Sequence, residues 1–164
     1  MKTLIAFILG LIAAPLILVL AAIAGWLPSN STAAPPKWEA SLATRALDAS
    51  LEKRSNGLSN PIRANDTVSL ATGKKIYADN CSGCHGDAQG PSDWGAKGLY
   101  PRAPQFFQTG SNVTASEAFA AIRDGIRYSG MGAWDGQLDD KQMWEAANFV
   151  ASIQAKNRGK KDSD

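Results

Sequence analysis

At 164 residues the chain has room for one domain and an appendage, and 17 Lys and Arg against 15 Asp and Glu leave a formal net charge of +2. With no basic cluster of the kind that tracks phosphates, nothing in this composition suggests a nucleic-acid binder. Two cysteines in a single motif exclude a disulfide framework.

Leu4 to Leu27 is a run of 24 positions without a charge, preceded by Lys2. As a helix it reaches about 36 Å, enough to cross a hydrocarbon core with some tilt. A signal-peptide core usually holds only about 7–15 apolar residues, and Pro15 is tolerated in a spanning helix. Residues 1–27 are therefore expected to form an uncleaved transmembrane anchor. Ala22-Ile23-Ala24 offers a small-x-small cleavage site, so a signal peptide is the alternative. Either one carries the remaining chain across a membrane, with Lys2 left on the cytoplasmic side.

Residues 28–65 read as a linker containing a short helix. Its first part, through Pro35-Pro36, is polar and proline-punctuated. Lys37–Lys53 has helical periodicity, with Trp38, Leu42, Ala46 and Ala49 on one side. That side is expected to pack on the main domain, with partner docking as the alternative. Gly57–Asn65, containing Asn60-Pro61, is a turn or loop.

A domain spanning 66–155 begins at Asp66, the N-cap of a helix predicted to run to Asn80. Gly73, Tyr77 and Cys81 share one face of it. A glycine within a helix marks a close approach by another element. The terminal helix is the expected partner, capped by Asp139 or Asp140, with Met143, Trp144, Ala147, Phe149, Val150 and Ile153 at its apolar positions. Gly73 and Tyr77 would cross it at Ala146 and Phe149.

Cys81-Ser82-Gly83-Cys84-His85 ends the first of these helices. Two thiols three residues apart, followed at once by an imidazole, form the attachment signature of a c-type haem. Each sulfur adds to one vinyl group, and His85 presents a neutral ring nitrogen to the iron. Gly83 and Gly86 suit a backbone turning tightly against a flat macrocycle. A thioredoxin-type pair would need a preceding strand, which the pattern lacks. A zinc site would need Asp79 or Asp87 to complete its four ligands.

Gly86 to Gly110 is rich in glycine and proline and should wrap the cofactor as irregular loop. It should also supply, somewhere between Pro91 and Pro104, the backbone carbonyl that orients the second nitrogen of His85. Ser116–Asp124 is predicted to be a short helix capped by Thr114 or Ser116, with Glu117 in its first turn. Ala118, Phe119 and Ile122 would point inward and Gly125 would end it. Residues 156–164 form a charged tail.

Gly73-x-x-x-Tyr77-x-x-x-Cys81-Ser82-Gly83-Cys84-His85, the later Gly130-Met131-Gly132-Ala133-Trp134 and the aromatic terminal helix together resemble class I c-type cytochromes. The likeness covers about residues 66–155 and looks closest to bacterial monohaem domains found beside dehydrogenases and terminal oxidases. It implies an all-α fold wrapped round one covalent haem c, with crossed terminal helices and with His85 and a methionine as axial ligands. Met131, between glycines that let the backbone approach the haem edge, is the expected ligand. Met143, in an amphipathic helix, is the second choice and an open or water-bound position the third. The family commonly has proline after this methionine, so Gly132 suggests a looser loop and a more labile iron–sulfur bond.

In related cytochromes, a segment like Pro101-Arg102-Ala103-Pro104 looks placed near the haem propionates. Arg102 matches that use, a solvated surface arginine being the alternative. Trp134 would either donate its indole N–H to a propionate or line the pocket.

The expected function is one-electron transfer, not enzymatic turnover, because a histidine and a thioether saturate the iron. The expected partners are the membrane and redox proteins (a dehydrogenase, an oxidase or other cytochromes), with no nucleic acid and no small-molecule substrate. The setting is the bacterial inner membrane, with the haem domain on the periplasmic side. The edge near Cys81 and Cys84 would be the electron port, amid mixed charges (Lys74, Lys75, Lys97, Asp79, Asp87, Asp93) that name no partner. Two alternatives stand beside this: a cytochrome subunit fixed in a respiratory or dehydrogenase complex, and an open-site haem sensor or enzyme, for which Gly132 is the one pointer.

Overall fold

A computed structural model describes residues 2–27, 29–63, 65–110 and 112–161; the side chains of residues 2, 5, 6, 8 and 154–161 lie outside the description. The charged tail expected at 156–164 is described only as helical backbone to Lys161, and residues 162–164 lie outside the described residues. Every regular element among the described residues is helical. The chain divides into two compact units, Met1–Asn30 and Ser31–Asp164.

The first unit is helix α1, Lys2–Ile23, with Pro15 inside it. Its described leucine, isoleucine, valine and phenylalanine side chains are exposed. It stops in a paired C-cap. Trp26 N–H donates to Ala21 O at 2.9 Å and Gly25 N–H to Ala22 O at 3.1 Å, with Gly25 at φ +76°. These are the two bonds of a left-handed glycine terminator. Counted over the described residues, no helix is long and apolar enough to cross a membrane.

In the second unit, α3 (Thr67–Asn80), α6 (Ala115–Asp124) and α7 (Asp140–Lys161) enclose the core. Each begins where side chains replace missing backbone partners. The Asp66 carboxylate accepts from Val68 N and Ser69 N. Thr114 and Glu117 close a reciprocal capping box at α6, which starts one residue ahead of the predicted Ser116. Asp139 and Gln142 do the same for α7, at 2.8 and 2.9 Å.

Ile76, Ala118, Phe119, Ile122, Met143, Trp144, Ala146 and Ala147 form the buried cluster. The Phe119 and Trp144 rings stack at 4.1 Å and 13°. Burial of each large side chain contributes roughly 1.5–3 kcal/mol. Gly73 lies against α7 as expected, with Glu145 in place of Ala146 at the crossing: a Cβ there would collide with the Glu145 carbonyl and sit 3.1 Å from Phe149 Cβ.

Helix α2, Lys37–Ser55, lies along α6. The helix was expected, but its packing face differs from the predicted one. Trp38 is 69% and Leu42 62% exposed, and Ala46 and Ala49 are exposed too. Leu51 is the buried contact, with Ala40, Leu47 and Arg54 on the same side half-buried. Residues 40, 47, 51 and 54 recur at helical spacing just as the predicted stripe does, and the surface of α6 decides between the two faces. Arg54 Nη1 donates to Gly125 O at 3.1 Å, fastening α2 to the end of α6. Beyond it, Asn60 donates to Asn148 Oδ1 at 2.7 Å, tying the 57–62 turn to α7.

Candidate haem site

Helix α3 ends directly in the cysteine motif. Cys81 (φ −115°, ψ −34°) bends the chain into a one-turn helix α4, Ser82–His85. Cys84 N and His85 N both donate to Cys81 O, at 3.1 and 2.9 Å. Gly86, at φ +70°, ends the turn in a conformation that a side chain would strain. Tyr77, two turns before His85 and 2% exposed, donates its hydroxyl to Gly86 O at 2.8 Å and lies 3.3 Å from His85 O.

Both thiols are free and half-buried. Burial, and secondarily the neighbouring Cys84, pushes the Cys81 thiol up to about 11. Among the described residues, no three His, Cys, Asp or Glu side chains converge to hold a metal ion, so Asp79 and Asp87 complete no zinc site. With a helix rather than a strand leading into Cys81 and no third ligand converging, the motif fits covalent haem better than either rival.

The imidazole of His85 is held on two sides. Its Nδ1 is 2.9 Å from Pro104 O, and the ring stacks on Phe106 at 4.7 Å and 14°. Burial lowers the ring's pKa, the Pro104 carbonyl opposing that shift. A carbonyl can only accept, so Nδ1 carries the proton of the neutral ring and the lone pair stays on Nε2. That is the tautomer an iron ligand requires.

The Pro104 carbonyl is positioned by the loop in front of it. Gly95, in a single π-helical turn at Trp94–Gly98, lies directly on Cys84, where any Cβ would strike the Cys84 carbonyl. Ala103 N donates to Gly95 O at 3.0 Å. Gln105, 7% exposed, donates through Nε2 to Cys84 O (2.9 Å) and Ala103 O (2.8 Å) and accepts from Ser92 N (2.8 Å). It leads into the short helix α5, Phe106–Thr109, whose aromatic rings face Tyr77.

Met131 is half-buried at the core's edge with Trp134 and Leu138. Hydrogen bonds hold its loop on both sides of Gly132. Ile126 N donates to Met131 O at 3.0 Å, Met131 N to Ser129 Oγ at 3.1 Å, and Trp134 N to Ile122 O at 3.0 Å. Gly125, at φ +68°, lets α6 end against it: a Cβ there would come within 2.8 Å of Ala133 N and Gly132 C. Met143 is 1% exposed inside the core cluster.

The Met131 loop and the Pro104 loop meet where the Leu99 side chain fills the space over Gly130. Arg102 is exposed on this same stretch and donates to Leu99 O at 2.9 Å. Cys81, Cys84, His85, Arg102, Met131 and Trp134 thus sit on the α3–α4 corner and on two loops in mutual contact. The mixed surface charges are partly self-paired: Lys75 with Asp79 and Lys97 with Asp93, each at 2.6 Å and exposed. Such pairs contribute little to stability. The identity of Pro104 and the role of Gln105 were not legible in sequence, where an amide in an irregular loop carries no periodic signal.

Comparison with known proteins places residues 68–150 in the family described as Cytochrome C oxidase, cbb3-type, subunit III. The chain is 34% identical over 84 residues to the Cbb3-type cytochrome c oxidase subunit FixP of Bradyrhizobium sp. (strain ORS 278), covering 51% of this chain and 27% of that one. It is 33% identical over 82 residues to the subunit FixPc of Rhizobium leguminosarum bv. viciae, covering 49% and 26%. The FixP subunit of Bradyrhizobium diazoefficiens is 34% identical over 85 residues, covering 51% and 27%. The chain therefore spans about a quarter of the length of these curated relatives. No solved structure matches it.

Proposed function

Because the chain belongs to the cbb3-type cytochrome c oxidase subunit III family of c-type haem domains, we propose that it is the haem-bearing electron-transfer subunit of a bacterial respiratory complex. When bound, haem c supplies a one-electron couple whose potential the axial ligands set. Cys81 and Cys84 would hold it through thioethers. His85 would present Nε2, its ring fixed by the 2.9 Å contact from Nδ1 to Pro104 O, and that contact is the observation that carries the reading.

Met131 would supply the second protein ligand to the iron. In support, its loop is anchored at Ile126, Ser129 and Ile122, whereas Met143 is enclosed in the core. Arg102, braced on Leu99 O, would present its remaining guanidinium donors to a propionate. Trp134 would line the pocket from the core side. A ligand set saturated by nitrogen and sulfur moves electrons without binding substrate, so the chain serves an oxidoreductase without itself being the catalyst.

We further propose that residues 1–27 anchor the subunit in the inner membrane, with the haem domain on the periplasmic side. The uncharged run from Leu4 to Leu27 and the terminator at Gly25 support this. The curated relatives are named as oxidase subunits, which favours a fixed subunit over a free shuttle. The outward Trp38–Leu42 side of α2 is apolar surface available for such a contact.

An optical spectrum of the purified protein tests the ligand assignment. A c-type spectrum with the weak far-red methionine–iron(III) band, unmoved by carbon monoxide in the reduced form, is expected. Met131→Ala should abolish that band while Met143→Leu keeps it. Ready carbon monoxide binding by the wild type would hand the site to the sensor or enzyme reading. Purification through the intact N-terminal segment tests the subunit reading: one stoichiometric complex supports it, and several weak partners sink it.

A further inference from the structure

We propose that Gln105 is a positioning residue for the axial histidine, setting the hydrogen bond at His85 Nδ1 and through it the reduction potential. The proposal rests on the haem reading above and deepens it. Pro104 C=O and Gln105 N share one peptide plane, so whatever fixes Gln105 aims the carbonyl that His85 meets. The Gln105 side chain turns back from that peptide to the other end of the same imidazole-bearing segment. Nε2 donates to Cys84 O, one residue before His85, at 2.9 Å. A closed ring results: His85, the Cys84 carbonyl, the Gln105 amide, the Pro104 carbonyl and back to His85 Nδ1.

The other two bonds of the amide fasten this ring to the loop. The second Nε2 hydrogen goes to Ala103 O at 2.8 Å, and Oε1 accepts from Ser92 N at 2.8 Å. Both donors and one acceptor position are therefore used, in a side chain only 7% exposed. Gly86 is cut to fit it, since a Cβ there would stand 2.8 Å from Gln105 Oε1. A buried amide so fully engaged specifies geometry, because no other side chain of its size offers two donors and an acceptor in one plane.

The link to potential is electronic. A hydrogen bond from Nδ1–H to a carbonyl makes the imidazole a stronger donor at Nε2. A stronger donor stabilises the oxidised iron and lowers the potential. Loosening Pro104 should therefore raise it.

The test uses full-length holoprotein carrying Gln105→Leu or Gln105→Glu. The second keeps the shape but turns an anionic oxygen toward two carbonyls. Haem content by the pyridine haemochrome spectrum and the far-red band of the wild type first check the underlying haem and methionine reading separately. In Gln105→Leu that holds haem the midpoint potential should rise; in either variant the largest g-value of the ferric electron paramagnetic resonance spectrum should shift and broaden. Asn60→Ala, which loosens the 57–62 turn on α7 away from the imidazole, should lose stability and leave both readouts at wild-type values. A Gln105 variant with full haem, wild-type potential and wild-type g-values overturns the proposal. Should neither variant retain haem, the wild type decides by nuclear magnetic resonance. A Gln105 side-chain amide protected from solvent exchange supports the ring, and a freely exchanging one overturns it.

Discussion

Gly73 in α3 lies so close to the Glu145 carbonyl of α7 that the two helix backbones touch with no side chain between them. Phe149, one turn further along α7, closes over the same glycine and meets the Tyr77 ring at 5.4 Å. Gly73→Ala would drive a methyl into backbone that has no rotamer to give. Overpacking of this kind costs about 1–3 kcal/mol. A fall in the urea midpoint of the holoprotein, at unchanged slope, is the expected result.

Tyr77→Phe removes the hydroxyl that satisfies Gly86 O and leaves the ring cluster in place. A buried carbonyl without its partner costs about 1–3 kcal/mol. Burial holds the phenol well above its usual range, so the bond persists throughout the neutral and mildly alkaline region. Denaturation at pH 7 and pH 9 should report the same loss; a loss confined to one pH contradicts this account.

Gly125→Ala acts on the methionine side. The residue sits at φ +68°, and a Cβ there meets the Gly132 carbonyl carbon and Ala133 N at 2.8 Å. The loop must move to admit it, carrying Met131 away from its place. The far-red band should weaken or vanish while covalent haem content stays at wild-type level, because Cys81, Cys84 and His85 lie on other elements.

Acid should weaken the start of α3. The Ser69 N–H, and after it the Val68 N–H, holds the Asp66 carboxyl below its ordinary 3.8. A folded-state pKa below the unfolded one means the contribution is full above 3.8 and lost as pH falls through the folded value. Asp66→Asn keeps a capping oxygen but removes the charge. The gap in urea midpoint between wild type and Asp66→Asn should be constant through the neutral range and close at strongly acidic pH. A gap that persists there would mean that charge is not what distinguishes them.

Tyr128 stands at φ +60° at the tip of the turn between Ile126 and Met131, 90% exposed. A left-handed conformation costs an aromatic residue roughly 1–2 kcal/mol, and asparagine tolerates it better. Tyr128→Asn should raise the melting temperature by a few degrees and leave the optical spectrum unchanged. No gain in melting temperature would mean that the turn carries no strain.

What the sequence determined is what neighbours along the chain decide. The thiol and imidazole spacing of Cys81, Cys84 and His85 lies within one helical turn. Asp66 and Thr114 cap helices by bonding to amides two or three residues on. Gly73 announced a crossing because glycine is costly in a helix unless a backbone needs its room. The tertiary structure decided matters between segments far apart. Two apolar sides of α2 had equal periodicity, and the surface of α6 selected the one with Leu51 and left Trp38 outward. Pro104, nineteen positions from His85, became the partner of its imidazole only because Gly95 folds onto Cys84 and Gln105 bonds back to it. Such long-range hydrogen bonds have no spacing rule. They are settled by which loop the packed helices bring within reach.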